Sequence, residues 1–452
     1  MLRSHGSILV KTLMIGSCAH VLPTTLAQGE ESNVPPEPRV IFTDISDVGE
    51  SLLVSPATES EQSDAAEALN LELGPTVINE EIPSGRWKVS PHLEARMTYD
   101  DNIFIQHDHK VDDFIFTLSP GLAIGIWDAE KRRTDGFLDR QNLATEIDKG
   151  RGSYFAVDYT AILLGFAKTD SQNAFDQDAR MDARWQADKW SLSGVVQYES
   201  KSETNTDIGT RIRRKTFSAE VVASYRVSDK TAIDTSASFR ANDPENYVRS
   251  TTWKVESEAS YEMTPLVRVG IGGAVGGVET DGGSDDFFER VLTRAAYRFD
   301  EKLDFEVRGG VEFRQSDGAA GDRVNPIFSV RAGYEPAEGT RIGLEAFRSV
   351  ETSEFRPEES YERTGVALTF LRSLRSGFHL RLDAGYQQSD YSGFADESGR
   401  EDQYFFVRPN ILYNFASWGN AALTYEFRKN DSNRTTSTFN NNQIKFQVNF
   451  AY

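Results

Sequence analysis

The last eleven residues read Asn442-Gln443-Ile444-Lys445-Phe446-Gln447-Val448-Asn449-Phe450-Ala451-Tyr452, and they alternate. Ile444, Phe446, Val448, Phe450 and Tyr452 fall on one face; Gln443, Lys445, Gln447, Asn449 and Ala451 fall on the other. A period of two is the signature of a β-strand. An apolar face this continuous has to be covered. Two coverings fit: the second layer of a soluble sandwich, or lipid around a closed barrel whose polar face turns to the lumen.

The rest of the chain favours the barrel, because the same pattern runs backwards for most of its length. Phe378, Leu380, Leu382, Ala384 and Tyr386 alternate with His379, Arg381, Asp383, Gly385 and Gln387, and Trp253, Val255, Ala259 and Tyr261 alternate with Lys254, Glu256, Glu258 and Ser260. Tight connections near Asp188-Lys189, Asp300-Glu301-Lys302 and Ser417-Trp418-Gly419 alternate with longer polar stretches such as Ser200 to Arg213 and Ser389 to Asp402. Short turns on one rim and long loops on the other are the habit of an outer-membrane barrel, with the short turns periplasmic. A propeller needs four strands per repeat, and these repeats hold two.

Counting hairpins predicts an all-β fold, an antiparallel transmembrane β-barrel of about eighteen strands (16–18) over 86–452. The first strand is expected over 90–105, and 128–152 is the longest periplasmic connection. A register follows for one hairpin: with Phe299 facing Leu303, Tyr297 meets Phe305 and Val291 meets Val311 on the lipid face, while Arg298 meets Asp304 and Arg290 meets Glu312 inside. Trp190, Tyr225, Tyr334, Trp418, Tyr198, Tyr247 and Tyr361 are expected in two aromatic girdles.

Composition agrees. Only 38% of the 452 residues are hydrophobic and the mean hydropathy is −0.49, which still suits a barrel that shows lipid every second residue, and no run past the N-terminus approaches the roughly 18 apolar residues of a spanning helix. The net charge of −21 disfavours nucleic acid as a partner. Arg3 and Lys11, then an apolar run to Leu22 and Thr25-Leu26-Ala27, predict a signal peptide over 1–27. It contains the only cysteine, Cys18, so the exported chain would carry no thiol. Residues 28–85 hold thirteen acids against one base, Arg39, with scattered prolines, and predict a largely disordered acidic periplasmic linker.

The text at the start of the barrel, SPHLEARMTYDDNIF followed by DDFIFTLSPGLAIGI, resembles the family named Putative beta-barrel porin 2 over about residues 87–127. The ending Phe446, Val448, Phe450, Tyr452 likewise resembles the C-terminal β-signal of outer-membrane proteins. The first resemblance implies a conduit for export of exopolysaccharide or capsule, working with a periplasmic polysaccharide-export protein. The second implies handling by the barrel-assembly machinery. The alternatives are a general diffusion porin for small solutes and a closed structural or adhesive surface barrel. Outer-membrane lipid and lipopolysaccharide are the expected surroundings, in the bacterial outer membrane.

Candidate sites are few. Arg184, Lys254, Glu256, Glu258, Arg294, Arg298, Glu306, Arg308, Arg381, Asp383 and Lys445 phase inward and are the lumen-lining candidates; they either line a channel or pair with one another. His107, Asp108 and His109 are a weak metal candidate in a solvated loop. Gly270 to Gly277 (GIGGAVGG) lacks the spacing of a nucleotide fingerprint and marks a strand that needs room. His92, His107, His109 and His379 are the only histidines past the targeting segment, with no evident serine partner for His107 or His109. No cofactor and no enzymatic activity are expected.

Overall fold

The computed structural model describes residues 87–126, 153–283, 285–299, 302–316, 321–357, 359–374, 377–391, 399–416 and 418–451. The expected signal peptide, the linker, the connection over 128–152 and Tyr452 lie outside the described residues.

The strands are β1 (Lys88–Asp100), β2 (Asp113–Ile126), β3 (Tyr154–Phe166), β4 (Ala174–Gln186), β5 (Trp190–Asn205), β6 (Thr210–Arg226), β7 (Thr231–Pro244), β8 (Ser250–Thr264) and β9 (Val267–Thr280). They continue with β10 (Asp286–Arg298), β11 (Leu303–Ser316), β12 (Arg323–Ala337), β13 (Thr340–Thr352), β14 (Ser360–Ser373), β15 (Phe378–Tyr391), β16 (Glu401–Ala416), β17 (Gly419–Ser432) and β18 (Phe439–Ala451). Each pairs antiparallel with its sequence neighbours, and β1 also pairs with β18, so the eighteen-stranded sheet closes on itself. Closure removes every edge, which is what lets a sheet span lipid without unpaired backbone groups.

The predicted hairpin register holds through its length: Tyr297 faces Phe305, Val291 faces Val311, Arg298 faces Asp304 and Arg290 faces Glu312. A slip by one residue would have put both charge pairs into lipid. On the outer surface, Trp253, Val255, Ile271, Val291, Phe305, Leu368, Ile411 and Phe446 are exposed, while the alternate residues are buried or half-buried. Near the short-turn rim Trp190 packs at a tilt against Tyr225, with ring centroids 4.5 Å apart, and Trp418 stacks on Phe450 at 6.0 Å. Tyr334 and Tyr198 also face outward.

Three expectations need correction. Tyr361 is not in a girdle: β14 shows Val366 and Leu368 to lipid, so the odd-numbered Tyr361 points inward and stacks on Tyr391 at 4.5 Å. Tyr247 lies beyond β7 in a loop, against Phe355. The first strand ends at Asp100 rather than continuing to 105. Ile103 and Ile105 keep the alternation of a strand, but the chain turns inward there and buries both completely, Ile103 against Ile115 and Phe166, and Ile105 against Tyr404, Phe406 and Phe439. Ile105 has a φ of 48°, a left-handed backbone rarely adopted by a β-branched residue.

The motif that carries the resemblance has a structural use. After its last ladder pair, Asp100 with Gln443, β1 is clasped to β18 by side chains. Asp100 accepts N–H groups from Asn441 (2.5 Å), Gln443 (2.9 Å) and the backbone of Asn102 (2.8 Å). Asp101 accepts from the backbone and the side chain of Asn442, both at 2.7 Å, and Asn102 donates to the Gln106 and Asn440 carbonyls. Asp100-Asp101-Asn102 therefore fastens the seam of the cylinder.

The glycine-rich β9 makes room as expected. A Cβ on Gly276 would lie 2.3 Å from the Phe288 ring, and one on Gly270 2.7 Å from the Glu258 carboxylate, so neighbouring strands send large side chains across these positions.

Candidate functional site

Every second residue of eighteen strands points into the barrel, and the sequence fills many of those positions with charge. The lumen candidates all lie on that inward face. Lys254, Glu256, Glu258, Arg294, Glu306, Arg308 and Asp383 are buried; Arg184, Arg298, Arg381 and Lys445 are half-buried.

Burial of charge is tolerated when the charges are paired. Arg294 joins Glu258 (3.4 Å) to Glu306 (2.9 Å), and Arg308 joins Glu256 to Glu258. Glu312, fully buried, is held between Arg290 (2.7 Å) and Arg314 (2.9 Å), and both guanidiniums lie over the Phe288 ring. Glu426 bridges Arg408 (2.9 Å) and Lys445 (2.6 Å). A second kind of pair sits two residues apart on one strand, where side chains share a face: Arg180 with Asp182, Lys254 with Glu256, Arg381 with Asp383.

Burial is graded along the axis. In β16 the inward Asp402, Tyr404 and Phe406 are buried, whereas Arg408, Asn410, Leu412 and Asn414 are half-buried; in β18 Phe439, Asn441 and Gln443 are buried, and Lys445, Gln447 and Asn449 half-buried. Along β16 and β18 the wall is thus packed near the long-loop rim and more open near the short-turn rim, the periplasmic one by topology.

The packing has an identifiable source. Ser200 to Arg213, expected to be a polar loop, is instead the end of β5, a four-residue turn and the start of β6. The turn is built by Asn205, whose side-chain oxygen accepts the Ile208 N–H while its carbonyl accepts that of Gly209, at φ 79°. About ten residues suffice to cross a bilayer as a strand, and β6 has seventeen, so this hairpin outreaches the wall. It bends into the mouth. Asp207 accepts hydrogen bonds from the Ser353 hydroxyl (2.9 Å) and the Glu354 N–H (2.8 Å), in the loop between β13 and β14. Asn205 donates to Glu354 (2.7 Å), which also accepts from Asn242 and pairs with Arg214 (3.4 Å). Arg400 donates to the carbonyls of Asp207 (2.6 Å) and Thr206 (2.9 Å), and Arg428 reaches Thr204 at 3.4 Å. Both faces of the tip are therefore engaged. The sequence signal was the turn text Asn205-Thr206-Asp207-Ile208-Gly209, which polar flanks disguised as loop.

Charge around this contact responds to pH. Burial, and then the negative charge of Asp207, hold the Glu359 carboxyl above the usual carboxylate value, against the pull of Arg356, Arg434 and Arg400. A group raised in the packed state binds its proton more tightly there, so packing gains stability on acidification and loses it as pH rises through the raised value. Protection of the Ser353 amide, which donates to the Glu359 carbonyl at 3.0 Å, is expected to increase on acidification through the raised value of Glu359 after correction for intrinsic exchange, and to lose that increase in Glu359→Gln. Unchanged pH dependence in the variant would refute this.

His107 and Asp108 approach to 3.9 Å in the exposed loop after β1, and no group of three or more metal-ligating side chains assembles there or elsewhere among the described residues. Two histidine rows were not foreseen from the sequence. His92 contacts Thr160 (2.9 Å) and lies 3.7 Å from Asp158; His379 lies between Ser373 (3.2 Å) and Asn414 (3.1 Å). Thr160 is fully buried, and a pocket bounded by Ser250, Lys254, Arg290, Arg314 and Glu351 adjoins neither histidine.

The family described as Putative beta-barrel porin 2 matches residues 290–452. The matched span is the C-terminal part of the barrel rather than the 87–127 stretch on which the sequence resemblance rests. No curated protein matches the chain. Among solved structures, the chain is similar to OpdO of Pseudomonas aeruginosa (10% identity, 82% of this chain and 98% of that one, TM-score 0.44) and to OccAB4 of Acinetobacter baumannii (10% identity, 81% and 98%, TM-score 0.43). The cylinder, its lipid-facing surface and the family match describe a porin-like outer-membrane β-barrel.

Proposed function

We propose that this porin-like barrel is a passive channel for hydrophilic solutes, seen here with its outer mouth occupied. The observation that carries the reading is the inward face: a wall in which polar and charged side chains outnumber apolar ones, inside an eighteen-stranded cylinder, the size class that encloses an aqueous path. Its charges are matched in sign, so a passing solute meets weak, mixed contacts rather than one strong site. Export of a polysaccharide, implied by the sequence resemblance, is the second reading. It draws support from the axial gradient along β16 and β18, whose more open ends face the periplasm, from which a glycan would enter.

Single-channel current through the refolded chain in a planar bilayer tests both. Stable current steps are expected. Interruption by neutral or acidic glycans added on the periplasmic side would favour the glycan conduit, and indifference to them a general porin. Absence of current from a demonstrably folded barrel would overturn the channel.

A further inference from the structure

We infer that the tip of the β5–β6 hairpin, Asn205 to Gly209, is a gate: docked, it closes the outer mouth, and swung out about the rim it opens the path. The inference rests on the channel reading above. Three observations carry it.

The first is position. In the ring of eighteen strands, β5 and β14 stand nine apart, on opposite walls. Yet Asp207 and Asn205 bond to Ser353 and Glu354, in the loop that leads from β13 to β14, and Arg400, beside β16, holds the Thr206 and Asp207 carbonyls. A segment joined to both walls crosses the space between them.

The second is the chemistry of the dock. Its contacts are hydrogen bonds and ion pairs, and neither apolar cluster of the interior, around Ile103 or around Ile105, includes a residue of the tip. Water can replace each such contact as the tip leaves, whereas an apolar seal would resist opening. The loop after β1 is the contrast, since Ile103 and Ile105 anchor it in the wall by burial.

The third is independence from the wall. The ladder between β5 and β6 runs unbroken from Trp190–Tyr225 to Asn205–Thr210, so the hairpin moves as one body without breaking its own pairing. On its other side β5 is paired with β4 only as far as Ser200, leaving five residues of β5 beyond the last rung. Beyond that rung the backbone ladder ends and side-chain contacts hold the hairpin to β4, Ser202 bonding twice to Asp176 (2.7 and 2.9 Å) and Arg213 to the Phe175 carbonyl, contacts that water can replace, so the bend falls there.

The exported chain is expected to carry no cysteine, so a pair can be introduced cleanly. In Asp207→Cys/Ser353→Cys, bridging the two thiols with a short bifunctional reagent is expected to lower single-channel current well below that of the unbridged variant. The single-cysteine variants treated with the same reagent should be unaffected. Asp207→Ala is expected to raise the open fraction severalfold relative to the unaltered chain. Folding of each variant is checked by resistance of the barrel to unfolding in SDS without heating. Bridging that leaves the current of a conducting, folded barrel unchanged would overturn the gate and leave the channel standing. A folded barrel that conducts in no variant, Asp207→Ala included, would overturn the channel reading on which the gate rests.

Discussion

Glu312→Ala is expected to destabilise the barrel by about 3–5 kcal/mol, the range for removing one partner from a buried ion pair. Glu312 is fully buried and takes a hydrogen-bonded contact from each of Arg290 and Arg314. Without it, two guanidiniums face each other across one carboxylate-sized void. Asp286, 3.3 Å from Arg314, offsets only part of that charge. The measurement is the urea midpoint of the protein folded in vesicles, with Glu312→Gln as the control that keeps shape while losing charge. An alanine variant within about 0.5 kcal/mol of the parent, the scatter of ordinary surface substitutions, would show that lumen water solvates these arginines and that burial overstates their isolation. Removing the exposed pair Arg249 and Asp243 should change little, because solvent already screens it.

The second large effect is at the seam. Asp100→Ala takes the acceptor from the Gln443 amide and the Asn102 N–H and leaves Asn441 only its longer contacts to Asp101 (3.3 Å) and the Asn102 carbonyl (3.4 Å), at about 1–3 kcal/mol for each donor stranded in a buried site. Loss there differs from loss in the middle of a hairpin, since β1 and β18 are far apart in the chain and no turn holds them together. The expected result is a lower yield of closed barrel in a refolding assay, with Asp100→Asn intermediate. A yield equal to that of the parent would mean that the nine ladder pairs from His92–Ala451 to Asp100–Gln443 close the seam unaided.

Much of this architecture is legible in the sequence, because the period-two code is written twice at each position, apolar outward and polar inward. Where both faces obey it, as at Tyr297–Phe305 beside Arg298–Asp304, the register is determined. It fails where one face stops informing. At 101–105 the alternation of Ile103 and Ile105 continues, but its covering is protein rather than lipid, and nothing local distinguishes the two. At 200–213 both faces are polar, since the hairpin tip lies beyond the bilayer and is buried by hydrogen bonds. Strand and loop then look alike in composition. The inward phase of the charged residues could be read from the pattern, whereas their partners depend on side-chain reach across two or three strands, as in Arg294 to Glu258, and no periodicity encodes that.

The salt bridges two residues apart bear on how the cylinder is made. Arg180 with Asp182, Lys254 with Glu256, and Arg381 with Asp383 each lie within a single strand, so the pair can form as soon as that strand is extended. It awaits no neighbour. Each such pair meets the membrane already matched, so the cost of carrying those two charges past lipid is lowered within the strand itself rather than recovered at the end, when the ring shuts.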